Sequence, residues 1–271
     1  MTKRTVFYLL LILVLLYCLG PFLWQFITSL KTDFEITSIP PLLPESPTLD
    51  HYVSIFSEHP FLRIIWNSFT VALCTTFLSL VFGSLCAFGL AKLKVGYKGF
   101  ILGFILSVSM FPPIATVSPL YIIIRFLGLR DTRLALIITY TTFSLPLSIW
   151  ILTSFFREIP DELYLAARVD GCTPFQVFYR IILPLSGPGI FTTAILVFLF
   201  SWNEFLFALT FTSTSAARTI PVAIVLFPGL HEVPWGDIAA ASIVVTIPSV
   251  ILVFAFQKRI IAGLTAGAIK G

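Results

Sequence analysis

The chain has 271 residues, of which 58% are hydrophobic and only 11% are charged, and its mean hydropathy is +1.00. A soluble domain has roughly half apolar and a quarter charged residues, so this composition excludes a soluble globular protein and indicates an integral membrane protein. The formal net charge of +4 is spread along the chain without a basic stripe, which argues against a nucleic-acid-binding protein.

Six apolar stretches are each long enough to cross a bilayer, which requires about 20 helical residues. They run from Val6 to Leu30, Trp66 to Ala91, Phe100 to Ile124, Leu134 to Phe156, Pro188 to Phe211 and Ile238 to Ile261. Their apolar residues are continuous rather than alternating, which predicts helices and not the strands of a barrel. The first stretch exceeds the roughly 7 to 15 apolar residues of a signal peptide, so we expect it to stay attached. The predicted fold is an all-α integral membrane protein with six transmembrane helices, forming a single transmembrane domain over residues 1–271.

Basic residues predict the orientation of these helices. In a six-span layout most of them fall on one side: Lys3, Arg4, Lys92, Lys94, Lys98, Arg157, Arg168, Arg180, Lys258, Arg259 and Lys270. By the positive-inside rule this side is cytoplasmic, and both termini lie there. Acidic residues are more frequent on the other side, although Arg125, Arg130 and Arg133 around Asp131 weaken the contrast between the third and fourth stretches. The sequence therefore predicts a multi-pass protein of the cytoplasmic (inner) membrane.

One long polar segment, Arg157 to Leu185, interrupts the apolar pattern in the second half of the chain. Pro160 and the two acids after it predict the start of a helix, Gly171 predicts its end, and Thr173 with Pro174 predicts the start of another. A stiff helix at the cytoplasmic surface suggests a docking site for another protein. A DNA-binding helix-turn-helix has a similar outline, but the adjacent membrane spans leave no room for a free domain.

The spacing of this segment resembles the EAA loop found in membrane subunits of bacterial ABC importers. The motif positions are occupied by Ala166, Ala167, Gly171, Ile181, Leu183 and Pro184. The leading Glu of the motif is replaced by Leu165, which implies that any ion pair made by that Glu is absent or replaced. The resemblance implies a cytoplasmic coupling helix that docks in a groove of an ATPase and consists of Leu165, Ala166, Ala167, Arg168, Asp170 and Gly171.

Three further segments indicate which group of ABC importers the chain resembles. They are WNEF at Trp202 to Phe205, PLY at Pro119 to Tyr121 followed by LGLRDT, and GLTAGAIKG at Gly263 to Gly271. In this order, and over nearly the whole chain, they resemble the second permease of carbohydrate importers of the maltose type. The resemblance implies a permease subunit of an ATP-driven, binding-protein-dependent importer that carries an oligosaccharide or related polyol glycoside by alternating access.

The resemblance also implies the partners of the chain. These are a second homologous permease, two cytoplasmic ATPase subunits and an extracytoplasmic sugar-binding protein. The loop near Thr212 to Gly236 is expected to approach the binding protein, and the tail after Gly263 to approach the ATPase interface. No cofactor is expected on this chain, because ATP and Mg belong to the partner ATPase. The sequence agrees in having no Gly-x-x-x-x-Gly-Lys phosphate loop.

Glu204 is the only acid well inside an apolar stretch, and Asn203 adjoins it. A charge at the bilayer centre costs about 2.5 to 3.5 kcal/mol on insertion scales, so this pair should face the bundle interior or a cavity. Three roles remain open: a residue of the translocation path, a proton relay, and a hydrogen-bond anchor to a neighbouring helix. The resemblance implies that sugar contacts can lie mainly on the other permease.

Small residues form a regular repeat in the second apolar stretch. Ser79, Gly83, Ala87 and Ala91 recur every four residues, which favours close helix packing, either within this chain or against the second permease.

Proline residues in the third, fourth and sixth stretches fit either a transport path or simple kinks. The cysteines show no CxxC spacing and the histidines no ligand spacing, so we expect neither a disulfide nor a metal site.

Three alternative functions remain. A permease for another solute, such as an amino acid or an inorganic anion, would share the EAA loop but not the WNEF segment and the C-terminal ending. An ion-coupled secondary transporter usually has an internal repeat, and none is evident here. A polytopic membrane enzyme would need a His, Asp or Glu cluster at a membrane boundary, and the sequence offers none.

Overall fold

The structure is a computed structural model that describes residues 3–39, 41–227 and 233–265, with the backbone alone for Lys3 and residues 258–265. Every regular element in these ranges is a helix, as predicted. The helices are α1 (Lys3–Thr28), α2 (Asp33–Thr37), α3 (Asp50–Ser57), α4 (Phe61–Lys92), α5 (Lys98–Ser109), α6 (Pro113–Phe126), α7 (Arg133–Glu158), α8 (Asp161–Val169), α9 (Pro174–Val177), α10 (Leu183–Leu185), α11 (Gly187–Asn203), α12 (Leu206–Phe211), α13 (Ile220–Val225) and α14 (Trp235–Thr265). A π-helical segment, Phe178–Ile182, joins α9 to α10.

Four of the described helices are long and apolar enough to cross a membrane. They are Arg4–Thr28, Phe61–Lys92, Arg133–Glu158 and Trp235–Gln257, and they correspond to the first, second, fourth and sixth predicted stretches. Two bent pairs also qualify if each pair forms one span. One pair is α5 with α6, and the other is Pro174–Leu185 with α11. Counted in this way, the described residues contain six candidate spans, the predicted number.

The third predicted stretch, Phe100 to Ile124, is not one straight helix. α5 ends at Ser109 and α6 begins at Pro113, and the two helices meet at a bend of 87°. Pro112 has an extended backbone, with φ −64° and ψ 125°. Neither Pro112 nor Pro113 has an N–H to donate to the preceding turn, and a residue before proline avoids the helical region. The two adjacent prolines therefore end the first helix and start the second.

The fifth predicted stretch, Pro188 to Phe211, is interrupted as well. α11 lies at 79° to the helix that precedes it, and it ends at Asn203 before α12 begins at Leu206. Glu204, between α11 and α12, has an extended backbone with φ −68° and ψ 130°. Glu204 therefore does not lie within a helix, contrary to the expectation from its apolar surroundings.

The chain divides into two compact units. One consists of Met1–Ile65 and Ile220–Val250, and the other of Trp66–Thr219 and Ile251–Gly271. The first unit has a buried apolar core formed by Ile55, Phe61, Ala240 and Ala241. The second unit contains the residues that the sequence predicts for coupling and for the translocation path.

His51 organises part of the first unit. Its Nδ1 lies 2.8 Å from a carboxylate oxygen of Asp237, and its Nε2 lies 2.9 Å from the carbonyl oxygen of Lys31. A Cβ atom on Gly236 would overlap the His51 ring, so this close approach requires glycine.

In the second unit, the small-residue face of α4 packs against α7 of the same chain. A Cβ atom on Gly83 would lie 3.0 Å from Cβ of Ser148, and Ala87 is fully buried in a cluster that includes Leu152 and Phe156. Small side chains allow two helix backbones to approach closely, which provides dispersion contacts in a lipid environment. This packing resolves, in favour of an intramolecular contact, the alternative that the sequence left open for Gly83 and Ala87.

Candidate coupling site and translocation path

The helix that the sequence predicts after Pro160 is present as α8. It starts at Asp161, directly after Pro160, with Asp161 and Glu162 in the first turn. After the last helical residues comes Gly171, whose φ of +86° lies in the left-handed region that glycine adopts without steric cost. The Gly171 N–H donates to the carbonyl oxygen of Arg168 at 3.2 Å. The helix stop predicted at Gly171 is confirmed.

A second helix starts directly after this turn, as the sequence predicts. The Thr173 hydroxyl accepts a hydrogen bond from the Gln176 N–H at 3.2 Å, and the Gln176 side chain accepts one from the Thr173 N–H at 2.7 Å. This reciprocal capping box satisfies two backbone donors that a helix start leaves free. The Arg168 guanidinium also donates to the Cys172 carbonyl oxygen at 2.5 Å and so spans the turn.

One face of α8 is fixed to the apolar core of the second unit. Ala167 is 6% exposed and belongs to a buried cluster with residues from α4, α7 and the helix after the turn: Ala87, Phe88, Leu152, Phe156, Val177, Phe178 and Ile182. Tyr164 packs against the same cluster. α8 therefore cannot rotate or shift without disturbing the core beneath it.

The opposite face of α8 is exposed and partly apolar. Leu165 is 59% exposed and Val169 is 86% exposed, while Ala166, Arg168 and Asp170 are exposed as well. Leu165 and Val169 are four residues apart and so lie on one side of the helix. Of the six predicted coupling residues, Ala167 is thus the one whose side chain packs inside this chain.

Lys92, at the end of α4, holds the start of α8. Its ammonium lies 2.5 Å from Oδ1 of Asp161 and donates to the Ile159 carbonyl oxygen at 2.5 Å. The hydrogen bond and positive charge of Lys92, with a further contribution from Lys98, lower the pKa of Asp161 below its ordinary value. The sequence analysis used Lys92 only to predict orientation. Its pairing with a residue 69 positions away has no local sequence signal.

Glu204 occupies the break between α11 and α12. Its carboxylate accepts hydrogen bonds from the Phe207 N–H at 2.9 Å and the Ala208 N–H at 3.2 Å, and so caps the start of α12. The nearby Tyr140 side chain in α7 is buried, and its hydroxyl makes no hydrogen bond to the described residues. A negative carboxylate at a helix start is favourable because the free N–H groups and the helix dipole are positive there.

Asn203 is exposed, and its side-chain amide donates to the Leu199 carbonyl oxygen at 2.7 Å. Asn203 and Glu204 thus differ in environment, because the Glu204 carboxylate caps a helix whereas the side-chain oxygen of the exposed Asn203 accepts no hydrogen bond from the described residues. The structure brings the two residues together only as chain neighbours, at the end of one helix and before the next.

A cavity of about 400 Å³ lies in the first unit, where Trp24, Lys31 and Trp235 contribute to its wall. None of the predicted coupling or path residues lines it. Within the ranges 3–39, 41–227 and 233–265, no group of three or more His, Cys, Asp or Glu side chains is placed to hold a metal ion.

The sequence matches a family model over residues 79–265, and that family is described as the inner membrane component of binding-protein-dependent transport systems. The chain is 47% identical over 261 residues to the trehalose transport system permease protein SugB of Mycobacterium tuberculosis, covering 96% of this chain and 95% of the relative. It is 42% identical over 272 residues to the trehalose/maltose transport system permease protein MalG of Thermococcus litoralis, covering 99% and 98%.

The fold is similar to a chain of a bacterial ABC transporter involved in the import of the acidic polysaccharide alginate. The TM-score is 0.81 at 21% sequence identity, and the match covers 94% of this chain and 95% of that chain. At this identity the likeness concerns the fold.

Proposed function

Because the chain belongs to the family of inner membrane components of binding-protein-dependent transport systems, we propose that it is the permease subunit of an ATP-driven carbohydrate importer. It is a multi-pass protein of the inner membrane, and it is a transport subunit rather than an enzyme. The observation that carries the proposal is its similarity, over nearly its whole length, to permeases of trehalose and trehalose/maltose transport systems. The proposed substrates are therefore oligosaccharides or related polyol glycosides.

The proposed assembly contains a second homologous permease, two cytoplasmic ATPase subunits and an extracytoplasmic binding protein. ATP and Mg would be bound by the ATPase subunits. Residues 1–271 would form one transmembrane domain with both termini on the cytoplasmic side, an orientation supported by the distribution of basic residues.

The proposed coupling element is α8. Its exposed face, with Leu165, Ala166 and Val169, presents apolar surface that an ATPase groove would cover. Its other face is held by the cluster around Ala167 and by the Lys92–Asp161 ion pair. Displacement of α8 by the ATPase would thus be transmitted to α4 and α7 as a rigid-body movement, which supports alternating access.

The exposed polar groups at the turn after α8 would add specificity to this contact. Asp170 is exposed, whereas the Arg168 guanidinium is engaged with the Cys172 carbonyl oxygen. Gly171 would act by setting the backbone direction between the two helices of the loop. Leu165, which stands where the EAA motif has Glu, would make an apolar contact with the ATPase instead of an ion pair.

Asn203 and Glu204 are proposed as residues of the translocation path. The supporting observation is the interrupted helix, because non-helical backbone at membrane depth is tolerated where it is buried in protein or lines a water-filled cavity. Glu204 would act mainly as the cap that maintains the break, while the amide oxygen of Asn203 is available to a passing hydroxyl group. This assignment combines the anchor and path roles that the sequence left open.

The substrate class can be tested by stimulation of ATP hydrolysis. The purified complex in lipid nanodiscs would be mixed with its binding protein and with trehalose, maltose, methionine or no ligand. We expect trehalose or maltose to stimulate hydrolysis, because a loaded binding protein should favour the catalytically closed ATPase. Stimulation by methionine alone would contradict the carbohydrate assignment and favour the importer of another solute.

A further inference from the structure

The turn between α6 and α7 contains an unusual backbone conformation at Asp131. Its φ is +58°, and within the described ranges only Tyr97 and Asp131 among the non-glycine residues have positive φ. Aspartate and asparagine adopt this left-handed region more readily than other side chains, but the conformation still costs free energy. Contacts elsewhere must therefore hold Asp131 in place.

Asp131 binds the chain that follows α12 through both its backbone and its side chain. The Asp131 N–H donates to the Phe211 carbonyl oxygen at 2.8 Å. Carboxylate oxygen Oδ1 accepts from the N–H groups of Ser213 at 2.8 Å and Thr214 at 3.0 Å, and Oδ2 accepts from the Thr214 hydroxyl at 2.7 Å. One residue thus satisfies four polar groups in a four-residue segment.

The charge of Asp131 is maintained by these contacts. Partial burial opposes ionisation, but hydrogen bonds from Ser213 and Thr214, together with the nearby charge of Arg130, lower the pKa of Asp131 below its ordinary value. The carboxylate is therefore ionised at neutral pH and accepts all three hydrogen bonds. Hydrogen bonds to a charged group are stronger than those between neutral groups.

Two residues outside the loop of residues 212–219 and one within it add further hydrogen bonds to this loop. The Arg130 guanidinium donates to the Ser213 hydroxyl at 3.2 Å, and the Arg218 guanidinium donates to the Ser213 carbonyl oxygen at 2.8 Å. The Asn67 amide donates to the carbonyl oxygens of Ser215 and Arg218, each at 3.0 Å. The loop is thus bound to the α6–α7 turn and to the start of α4, all within the second compact unit.

α12, which precedes this loop, is held at its start by the Glu204 carboxylate and at its end by the Asp131 backbone. Glu204 accepts hydrogen bonds from N–H groups in its first turn, and the Asp131 N–H donates to the carbonyl oxygen of Phe211, its last residue. α12 has only 6 residues, far fewer than the number that makes a helix stable alone, so its position depends on such tertiary contacts. Asp131 thereby connects the break at Glu204 with the α6–α7 turn.

We propose that Asp131 is a positioning residue that locks the 212–219 loop and α12 to the α6–α7 turn. These elements would move as one body when the permease receives substrate from the binding protein. The inference rests on the proposed function, in which this side of the molecule faces the binding protein. It adds a connection between that surface and the break that contains Glu204.

Three substitutions at this position separate backbone from side-chain effects. Asp131→Asn keeps the left-handed preference and an acceptor oxygen for the two N–H groups, and its amide can donate to the Thr214 hydroxyl. Asp131→Gly keeps the backbone freedom but removes every side-chain hydrogen bond. Asp131→Ala loses both. Each variant would be purified with its partners in nanodiscs, after confirming normal assembly.

The first measurement is ATP hydrolysis against the concentration of binding protein loaded with trehalose or maltose. Asp131→Asn should give a half-saturating concentration between those of wild type and Asp131→Gly, because it keeps the hydrogen-bonding atoms but loses the charge. Asp131→Gly should raise the half-saturating concentration by at least about tenfold, since it loses charge-assisted hydrogen bonds, while hydrolysis without binding protein stays unchanged. Asp131→Gly with a wild-type curve would overturn the inference. If wild type itself fails to respond to either sugar, the proposed function fails, and the inference with it.

The second measurement needs no substrate. Arg130→Cys and Ser213→Cys would be combined after replacement of the native cysteines Cys18, Cys74, Cys86 and Cys172, and joined with a bifunctional thiol reagent that spans the space vacated by the arginine side chain. Equal crosslinking in the resting and vanadate-trapped states, with ATP turnover retained, is the expected result. Loss of turnover on crosslinking, or crosslinking in one state only, would show that the two elements separate during the cycle.

Discussion

The ammonium of Lys92 lies 2.5 Å from Oδ1 of Asp161, so the last turn of α4 is joined to the first turn of α8. The Lys92 side chain is 2% exposed, whereas the Asp161 side chain is 76% exposed. Exposed ion pairs contribute little to stability, but this one also orients two helices and places the ammonium on the Ile159 carbonyl oxygen at the end of α7. The end of α4, the end of α7 and the start of α8 therefore meet at the Lys92 side chain.

Replacement of Lys92 should weaken coupling more than assembly. Lys92→Ala removes two hydrogen bonds, one of them to a largely exposed carboxylate. Hydrogen bonds to charged groups contribute about 1.5 to 3 kcal/mol to stability, and we expect the lost stabilisation of the α4–α8 contact to lie near the lower end of this range. The expected result is less sugar imported per ATP hydrolysed, measured in proteoliposomes. Lys94→Ala is the matched control, because Lys94 is exposed and lies near the end of the same helix. Equal ratios in both variants would contradict a positioning role for Lys92.

The two faces of α8 should respond differently to added charge. Ala166→Arg places a bulky cation on the exposed face and should reduce co-purification of the ATPase while leaving the permease folded. Ala167→Arg would bury a charge in the apolar cluster, which is unfavourable without a partner, so it should lower the amount of folded permease in the membrane. For both variants, the measurements are the amount of permease in the membrane and the amount of ATPase that co-purifies with it. Normal ATPase recovery with Ala166→Arg would contradict the assignment of α8 to the ATPase interface.

The turn at Gly171 should tolerate asparagine better than valine. Within the part of the chain that the structure describes, no atom lies within 4 Å of a Cβ added at Gly171, so the cost arises from the positive φ and not from a clash. A left-handed backbone costs non-glycine residues about 1 to 2 kcal/mol, and a β-branched residue is especially unsuited to it. Gly171→Val should abolish uptake at normal membrane abundance, and Gly171→Asn should retain much of it. Wild-type uptake by Gly171→Val would contradict the requirement for this turn.

Glu204 should be more sensitive to loss of its oxygens than to loss of its charge. Glu204→Gln retains one amide oxygen that can cap α12, whereas Glu204→Leu leaves the Phe207 and Ala208 N–H groups without their acceptor, at a cost typical of a lost helix cap, about 0.5 to 2 kcal/mol. Substantial uptake is therefore expected for Glu204→Gln and much less for Glu204→Leu. Equally inactive variants would point to a proton relay, because glutamine cannot carry a proton.

Hydropathy, helix-starting residues and helix-ending residues were sufficient to predict the four long helices, helix α8 and its end at Gly171, because each depends on residues adjacent in sequence. The breaks were harder to predict. Glu204 lies in a stretch whose mean hydropathy is high, and this mean does not reveal that the Glu204 carboxylate can accept hydrogen bonds from the N–H groups of the next helical turn. Pro112 and Pro113 are visible in the sequence, but the size of the bend depends on tertiary packing.

The contacts that position the coupling loop and α12 could not be derived from local patterns. Lys92 and Asp161 are 69 residues apart, and Asp131 and Ser213 are 82 residues apart. Ala167 is one of the two alanine residues in its segment, and only its burial against α4 and α7 distinguishes it from Ala166. These pairings arise from the tertiary fold, which determines which chain-distant side chains meet.

The most direct test is uptake by the reconstituted importer under separate control of ATP and ion gradients. Proteoliposomes that contain this chain, the second permease and the ATPase would hold ATP and Mg inside and receive labelled trehalose or maltose with the binding protein outside. We expect uptake that requires internal ATP and the binding protein and that persists after an uncoupler abolishes the proton gradient. Uptake that stops with the uncoupler while ATP is maintained, or that proceeds without ATP, would contradict an ATP-driven permease.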